Sequence, residues 1–159
     1  MMATEAPTPL AADLCWLLAR ASHGLTTELT AALEGLGISP RAHEVLFTAM
    51  SGERTQSEIA RLIGLDKTTM VVTVDELEAA GLAERRPSKR DRRARVIAVT
   101  DAGGGVVREA DEVLAQVREN VLAELPPAER QVFLNALGRL ACGRLSEPVP
   151  CAHPVRRRY

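Results

Sequence analysis

Leu14, Leu18, Ala21, Leu25, Leu29, Leu33 and Leu36 recur at steps of three and four, the repeat of one face of an α-helix. A helix opening at Leu10 and stopped by Gly35 and Gly37 carries this stripe. The stripe is too long for one small domain to cover, so it requires a long partner. Two later stripes have the same character. Val106, Ala110, Val113, Val117, Val121 and Leu125 form one, and Phe133, Leu137, Leu140, Ala141 and Leu145 form the other, with Pro126-Pro127 between them. Aromatic residues are only 3 % of the chain. The core is therefore built from Ala, Leu and Val, which suits packed helices. The same scarcity argues against binding single strands by base stacking. Gly103, Gly104 and Gly105 open the helix of the second stripe, and each is expected to weaken it by on the order of 1 kcal/mol relative to Ala.

Between the stripes the chain breaks into short elements with local start signals. Ser39-Pro40 opens one helix, with Ser39 as cap and Pro40 at the first helical position. Thr55-Gln56-Ser57-Glu58 is a capping box, a cap hydroxyl with Glu three residues on. Gly64 ends that helix, and Asp66 caps another from Lys67 to Ala80. Two short helices joined by a tight glycine turn make a helix-turn-helix. Leu82-Ala83-Glu84 and Val96-Ile97-Ala98-Val99 can then pair as strands, and Thr100-Asp101 caps the next helix. The segment Arg85 to Arg95 between the strands holds seven basic residues and one acidic one, +6 (7 − 1), in a chain whose net charge is −1. A basic hairpin tip reaches phosphates well, and its arginines can enter a groove. A solvated charged loop is the ordinary alternative.

A chain of 159 residues makes one domain. Residues 1–9 and the Pro-rich tail 146–159, ending in Arg156-Arg157-Arg158-Tyr159, are expected to be disordered. No signal peptide or membrane-spanning run is evident, and three widely spaced cysteines, Cys15, Cys142 and Cys151, fit a reducing cytoplasm. No Gly-rich phosphate loop, metal-ligand cluster or Ser/His/Asp set appears, so neither an enzyme, nor a cofactor, nor a metal site is expected.

The fold class these signals give is mainly α with a small β wing. Three segments, Gln56 to Leu62, Thr69 to Leu82 and Asp91 to Thr100, resemble the MarR family of bacterial transcription regulators. The Asp-x-Arg of the wing, followed by a Thr that caps the next helix, is the most specific part. The likeness covers roughly residues 10 to 145. It implies a homodimer that binds double-stranded DNA and carries a winged helix-turn-helix lobe, residues 39–100. It also implies a helical dimerisation lobe, residues 10–36, 101–125 and 127–145. The protein would be a repressor released by a small-molecule effector.

On that reading Lys67, Thr68, Thr69 and Thr73 face bases or phosphates from the recognition helix, and Gln56 and Ser57 offer backbone N–H groups to a phosphate. Arg93 enters the minor groove, while Arg85, Arg86, Lys89, Arg90, Arg92 and Arg95 contact phosphate or support the wing. Asp91 is implied to pair with a nearby Arg and hold the tip in shape. The chain departs from the family at Val72, where many members carry Arg, and at Glu76, where another basic residue is common. Affinity then shifts to the wing, and Thr and Val contacts to thymine methyls favour an A·T-rich palindrome.

Cys15, Trp16, His43, Phe47 and Met50 are the effector-pocket candidates. Leu14-Cys15-Trp16-Leu17-Leu18 also resembles the first helix of the organic-hydroperoxide-sensing branch, which makes Cys15, with Cys142 as a resolving partner, the redox candidate. That branch's tyrosines are replaced here by Ala19, Pro40 and His43. A buried apolar Cys is the plainer reading. A winged module that binds protein instead of DNA is the remaining alternative.

Overall fold

The computed structural model describes residues 12–147 and Val149. The expected disorder of residues 1–9, the helix start at Leu10, and Cys151, His153 and the arginines of the tail lie outside the described residues. Among the described residues, six α-helices and one antiparallel hairpin follow in the order α1 (Leu14–Leu33), α2 (Pro40–Met50), α3 (Gln56–Ile63), α4 (Lys67–Ala79), β1 (Ala83–Pro87), β2 (Arg95–Val99), α5 (Asp101–Ala123) and α6 (Pro127–Arg139). A 3-10 turn at Glu34–Leu36 extends α1, and a wider-wound stretch, Leu140–Arg144, extends α6.

Most of the helices start where a side chain can take an orphan N–H. Ser39 accepts from Ala42 N at 3.1 Å, and Thr100 accepts from Gly103 N at 3.0 Å. Thr55 and Glu58 close the reciprocal capping box ahead of α3. The Thr55 backbone N–H, then its hydroxyl, holds the Glu58 carboxyl below its ordinary pKa. Asp66 is lowered in the same way by the Thr69 hydroxyl and then the Thr69 N–H at the head of α4. A carboxyl with a lowered folded pKa contributes stability that is complete above its unfolded pKa. That contribution is lost as pH falls through the folded value. Between about pH 5 and pH 3 the melting temperature should therefore fall, and Glu58→Gln together with Asp66→Asn should flatten that slope. Thermal melts across that range check this. An equal slope in the double variant would remove the caps from the acid response.

The core gathers α2, α3, α4, the base of the hairpin and the first turns of α5. Val45, Leu46, Ile59, Met70, Val74, Leu77 and Val107 are its most buried large side chains, joined from α1 by Leu33. Gly64 takes φ 68°, which lets the Leu65 N–H return to Ala60 O and turn the chain sharply into α4. The hairpin pairs Ala83 with Val99 through to Pro87 with Arg95.

The structure corrects the expectation at Gly103. Gly103 and Gly104 are buried, and a Cβ at Gly103 would lie 2.0 Å from Leu82 O. The absence of a side chain there is what allows α5 to pack against the end of the winged unit. The long stripes behave differently from the core. Leu33 is the single buried residue of α1 among those described, and α6 has none. Leu14, Leu17, Leu25, Val132, Phe133 and Leu134 stand exposed.

Candidate DNA interface

Helix α4 presents its residues by helical repeat. Met70, Thr73, Val74 and Leu77 face the core, so Thr68, Val71, Val72 and Asp75 lie on the open side. Lys67 and Thr68 are exposed in the first turn, as expected. Thr69 is half-buried, and its hydroxyl donates to Asp66 Oδ2 at 2.6 Å. Thr73 corrects the sequence reading. It is 2 % exposed, and its hydroxyl donates to Thr69 O at 2.9 Å, so it has no surface for a base. Val71 is exposed and joins Thr68 on the open side. The spacing of Met70, Val74 and Leu77 already put it on the open side.

Ser57 is exposed at the head of α3, and Gln56 is half-buried. These two, with Arg61 and Lys67, line an open cleft of about 290 Å³ between α3 and α4. The Gln56 side chain is itself engaged, accepting from Arg85 Nε at 3.2 Å.

The wing differs from its reading at the base. Strand β1 runs on through Arg85 and Arg86 to Pro87, so these two arginines are strand residues and not loop residues. Arg85 turns back onto α4. Its guanidinium donates to Asp75 Oδ1 at 2.7 Å and to Glu78, while its backbone N–H donates to Glu78 Oε1 at 2.7 Å. Of the two roles offered for Arg85, phosphate contact or support of the wing, that arrangement fits support. Arg86 is exposed but pairs with Glu84 on its own strand.

Beyond Pro87 the tip is built around a buried serine. Ser88 is 8 % exposed, donates to Glu53 Oε2 at 3.1 Å, and accepts from Arg90 N at 3.1 Å. Glu53 also takes the Lys89 N–H, tying the tip to the loop before α3. Neither Glu53 nor Ser88 carried a signal in the sequence, since they meet across 35 positions. Asp91 sits in the turn, but its carboxylate accepts the Arg93 backbone N–H at 2.9 Å and makes no ion pair with an arginine among the described residues. Lys89, Arg90, Arg92, Arg93 and Arg95 are exposed, and none makes an ion pair among the described residues. The wing thus carries five cations without an ion-pair partner among the described residues.

The family model for MarR matches residues 36–94, which span α2 to the wing tip. Over these residues the chain is similar to the MarR family. Among solved structures of this family it is similar to the transcriptional repressor CouR bound to a 23-mer DNA duplex, with 28 % identity, a TM-score of 0.77, and coverage of 87 % of this chain and 99 % of that one. CouR from Rhodococcus jostii RHA1 bound to p-coumaroyl-CoA matches at 27 % identity and a TM-score of 0.76, covering 84 % of this chain and 95 % of that one. A MarR-family transcriptional regulator from Rhodococcus sp. RHA1 matches at 26 % identity and a TM-score of 0.76, covering 84 % and 97 %. These MarR-family neighbours are regulators and not enzymes.

The effector candidates are not gathered into one site. His43 is buried, with Nε2 2.8 Å from Asp111 Oδ1 and its ring stacked on exposed Phe47 at 5.9 Å. This nitrogen therefore belongs to the α2–α5 contact and is not directed at Cys15. Met50 lines a separate open cleft of about 580 Å³ with Val99, Asp101 and Arg108. Trp16 is half-buried in the first turn of α1. Cys15 is a free, exposed thiol, as is Cys142, which corrects the reading of a buried apolar Cys15. No group of three or more His, Cys, Asp or Glu is placed to hold a metal ion among the described residues. No helix there is long and apolar enough to cross a membrane.

Proposed function

We propose that the protein is a homodimeric, sequence-specific DNA-binding regulator of transcription, acting as a repressor that a small-molecule effector releases. The observation that carries this is the set of five unpaired cations at the wing, set beside a recognition helix whose open side is Thr68, Val71 and Val72. Cations bring the wing to phosphate and the minor groove, with Arg93 as the inserted side chain. Threonine and valine methyls meet thymine methyls in the major groove, which favours A·T-rich half-sites. The DNA-bound and p-coumaroyl-CoA-bound forms of CouR support both partners.

Dimerisation rests on α1 and α6. Leu17, Leu25, Phe133 and Leu134 are exposed, yet they belong to the stripes of long helices. A second copy covers them most simply. Sedimentation of the chain with a short duplex should give two chains per DNA. Phe133→Glu places a charge in that face and should shift the free protein toward monomer at micromolar concentration. One wild-type chain per duplex would contradict the dimeric reading.

A winged module that binds protein is the second reading. Asp75 and Glu76, exposed on α4, favour it because they repel phosphate. A duplex titration that shows no salt-sensitive binding would select it.

A further inference from the structure

The acidic end of the recognition helix is the feature that the DNA reading leaves unexplained. Helix α4 carries Asp75, Glu76 and Glu78 in its last two turns and has no basic residue in its last turn. Carboxylates there oppose the partial negative charge of the helix C-terminus. Asp75 also lies on the same open side as Thr68, Val71 and Val72, so it would approach the DNA with them. A cation is missing from this end of the helix, and the neighbouring strand supplies one. Arg85 places one arm of its guanidinium on Asp75 Oδ1 at 2.7 Å, another on Glu78, and its Nε on Gln56 Oε1 at 3.2 Å. Its side chain is 28 % exposed, against 60 % for Asp75 and 33 % for Glu78, so the cation is the more covered member of both pairs.

We infer that Arg85 is a positioning residue that masks the acidic end of the recognition helix, which lets α4 approach phosphate, and that it does not itself contact DNA. The inference rests on the DNA reading proposed above. Arg85 neutralises one of the two carboxylates it touches and holds both turned toward β1. It also fixes β1 to α3 and α4 at once, so the wing and the recognition helix meet DNA as one unit.

Three outcomes separate masking from a phosphate contact and from a purely structural tie. Arg85→Ala exposes two unpaired carboxylates and should weaken binding to a fluorescent mixed-sequence duplex by on the order of tenfold. Adding Asp75→Asn and Glu78→Gln to that variant should restore wild-type affinity. The amide oxygen of Gln at position 78 can still accept the Arg85→Ala backbone N–H, so the strand stays docked. A direct phosphate contact would instead lower the salt slope by about 0.9, and the added amides would not return it. Arg85→Lys keeps the charge, and should keep affinity within about threefold while lowering the melting temperature, even if Arg85→Ala folds poorly. Failure of the amides to rescue, or equal loss in Arg85→Lys and Arg85→Ala, would overturn masking. Wild-type protein that does not bind the duplex would instead fail the DNA reading, and this inference with it.

Discussion

Gly103→Ala is expected to destabilise the protein by about 3 kcal/mol or more, enough to leave much of it unfolded at physiological temperature. The added Cβ would stand 2.0 Å from Leu82 O and 2.9 Å from Val99 Cγ1. The first of these is backbone and cannot rotate away. Leu82 O already accepts the Thr100 N–H at 3.1 Å, and Thr100 Oγ1 donates to Gly81 O at 2.8 Å. The methyl would therefore push apart the junction at which α5 leaves the winged unit. Gly105→Ala is the control. Its Cβ would meet only the far end of Arg108 at 4.0 Å, and the higher helix propensity of Ala should make it neutral or slightly stabilising. Urea melts of the two variants measure the contrast. Equal stabilities would remove the close approach at Gly103 from the account.

The second large effect falls on binding and leaves the fold alone. Replacing Lys89, Arg90, Arg92 and Arg93 with alanine should weaken duplex binding by about thousandfold at roughly 0.1 M salt and reduce the salt slope by about three. Arg93→Ala alone should cost on the order of tenfold. The side chains are exposed and free of ion pairs among the described residues, so stability should stay within about 0.5 kcal/mol of wild type. The wing keeps its shape because Ser88, Glu53 and Asp91 accept the backbone N–H groups of Arg90, Lys89 and Arg93, which alanine retains. Fluorescence anisotropy at several salt concentrations checks both numbers. An unchanged salt slope would mean that the tip stays away from phosphate.

Local signals were legible in the chain, and distant ones were not. Ser39, Thr55, Asp66 and Thr100 announced four helix starts, because a cap depends on residues only three apart. The exposed basic tip was equally plain, since five charges in a seven-residue turn cannot be buried. Thr73 misled by chemistry. A threonine near the start of a recognition helix invites a base contact, yet the spacing from Met70 to Val74 and Leu77 puts position 73 on the buried face. For Arg85 the sequence left phosphate contact and support of the wing both open. Its role depends on β1 continuing three residues into the basic run, and on partners 7, 10 and 29 positions away. Gly103 was read as a weak helix former, because propensity is local and the carbonyl it must clear belongs to Leu82. Asp91 held its place in the turn but serves a backbone N–H, which a motif of side chains does not reveal.

A two-fold reader of duplex DNA is the central claim. The most direct measurement is selection of purified full-length protein against a pool of random duplexes, followed by sequencing of what is retained at two salt concentrations. Recovery of one A·T-rich palindrome, with half-site centres about 10 bp apart, is the predicted result. Retention that depends on salt but enriches no sequence would contradict it.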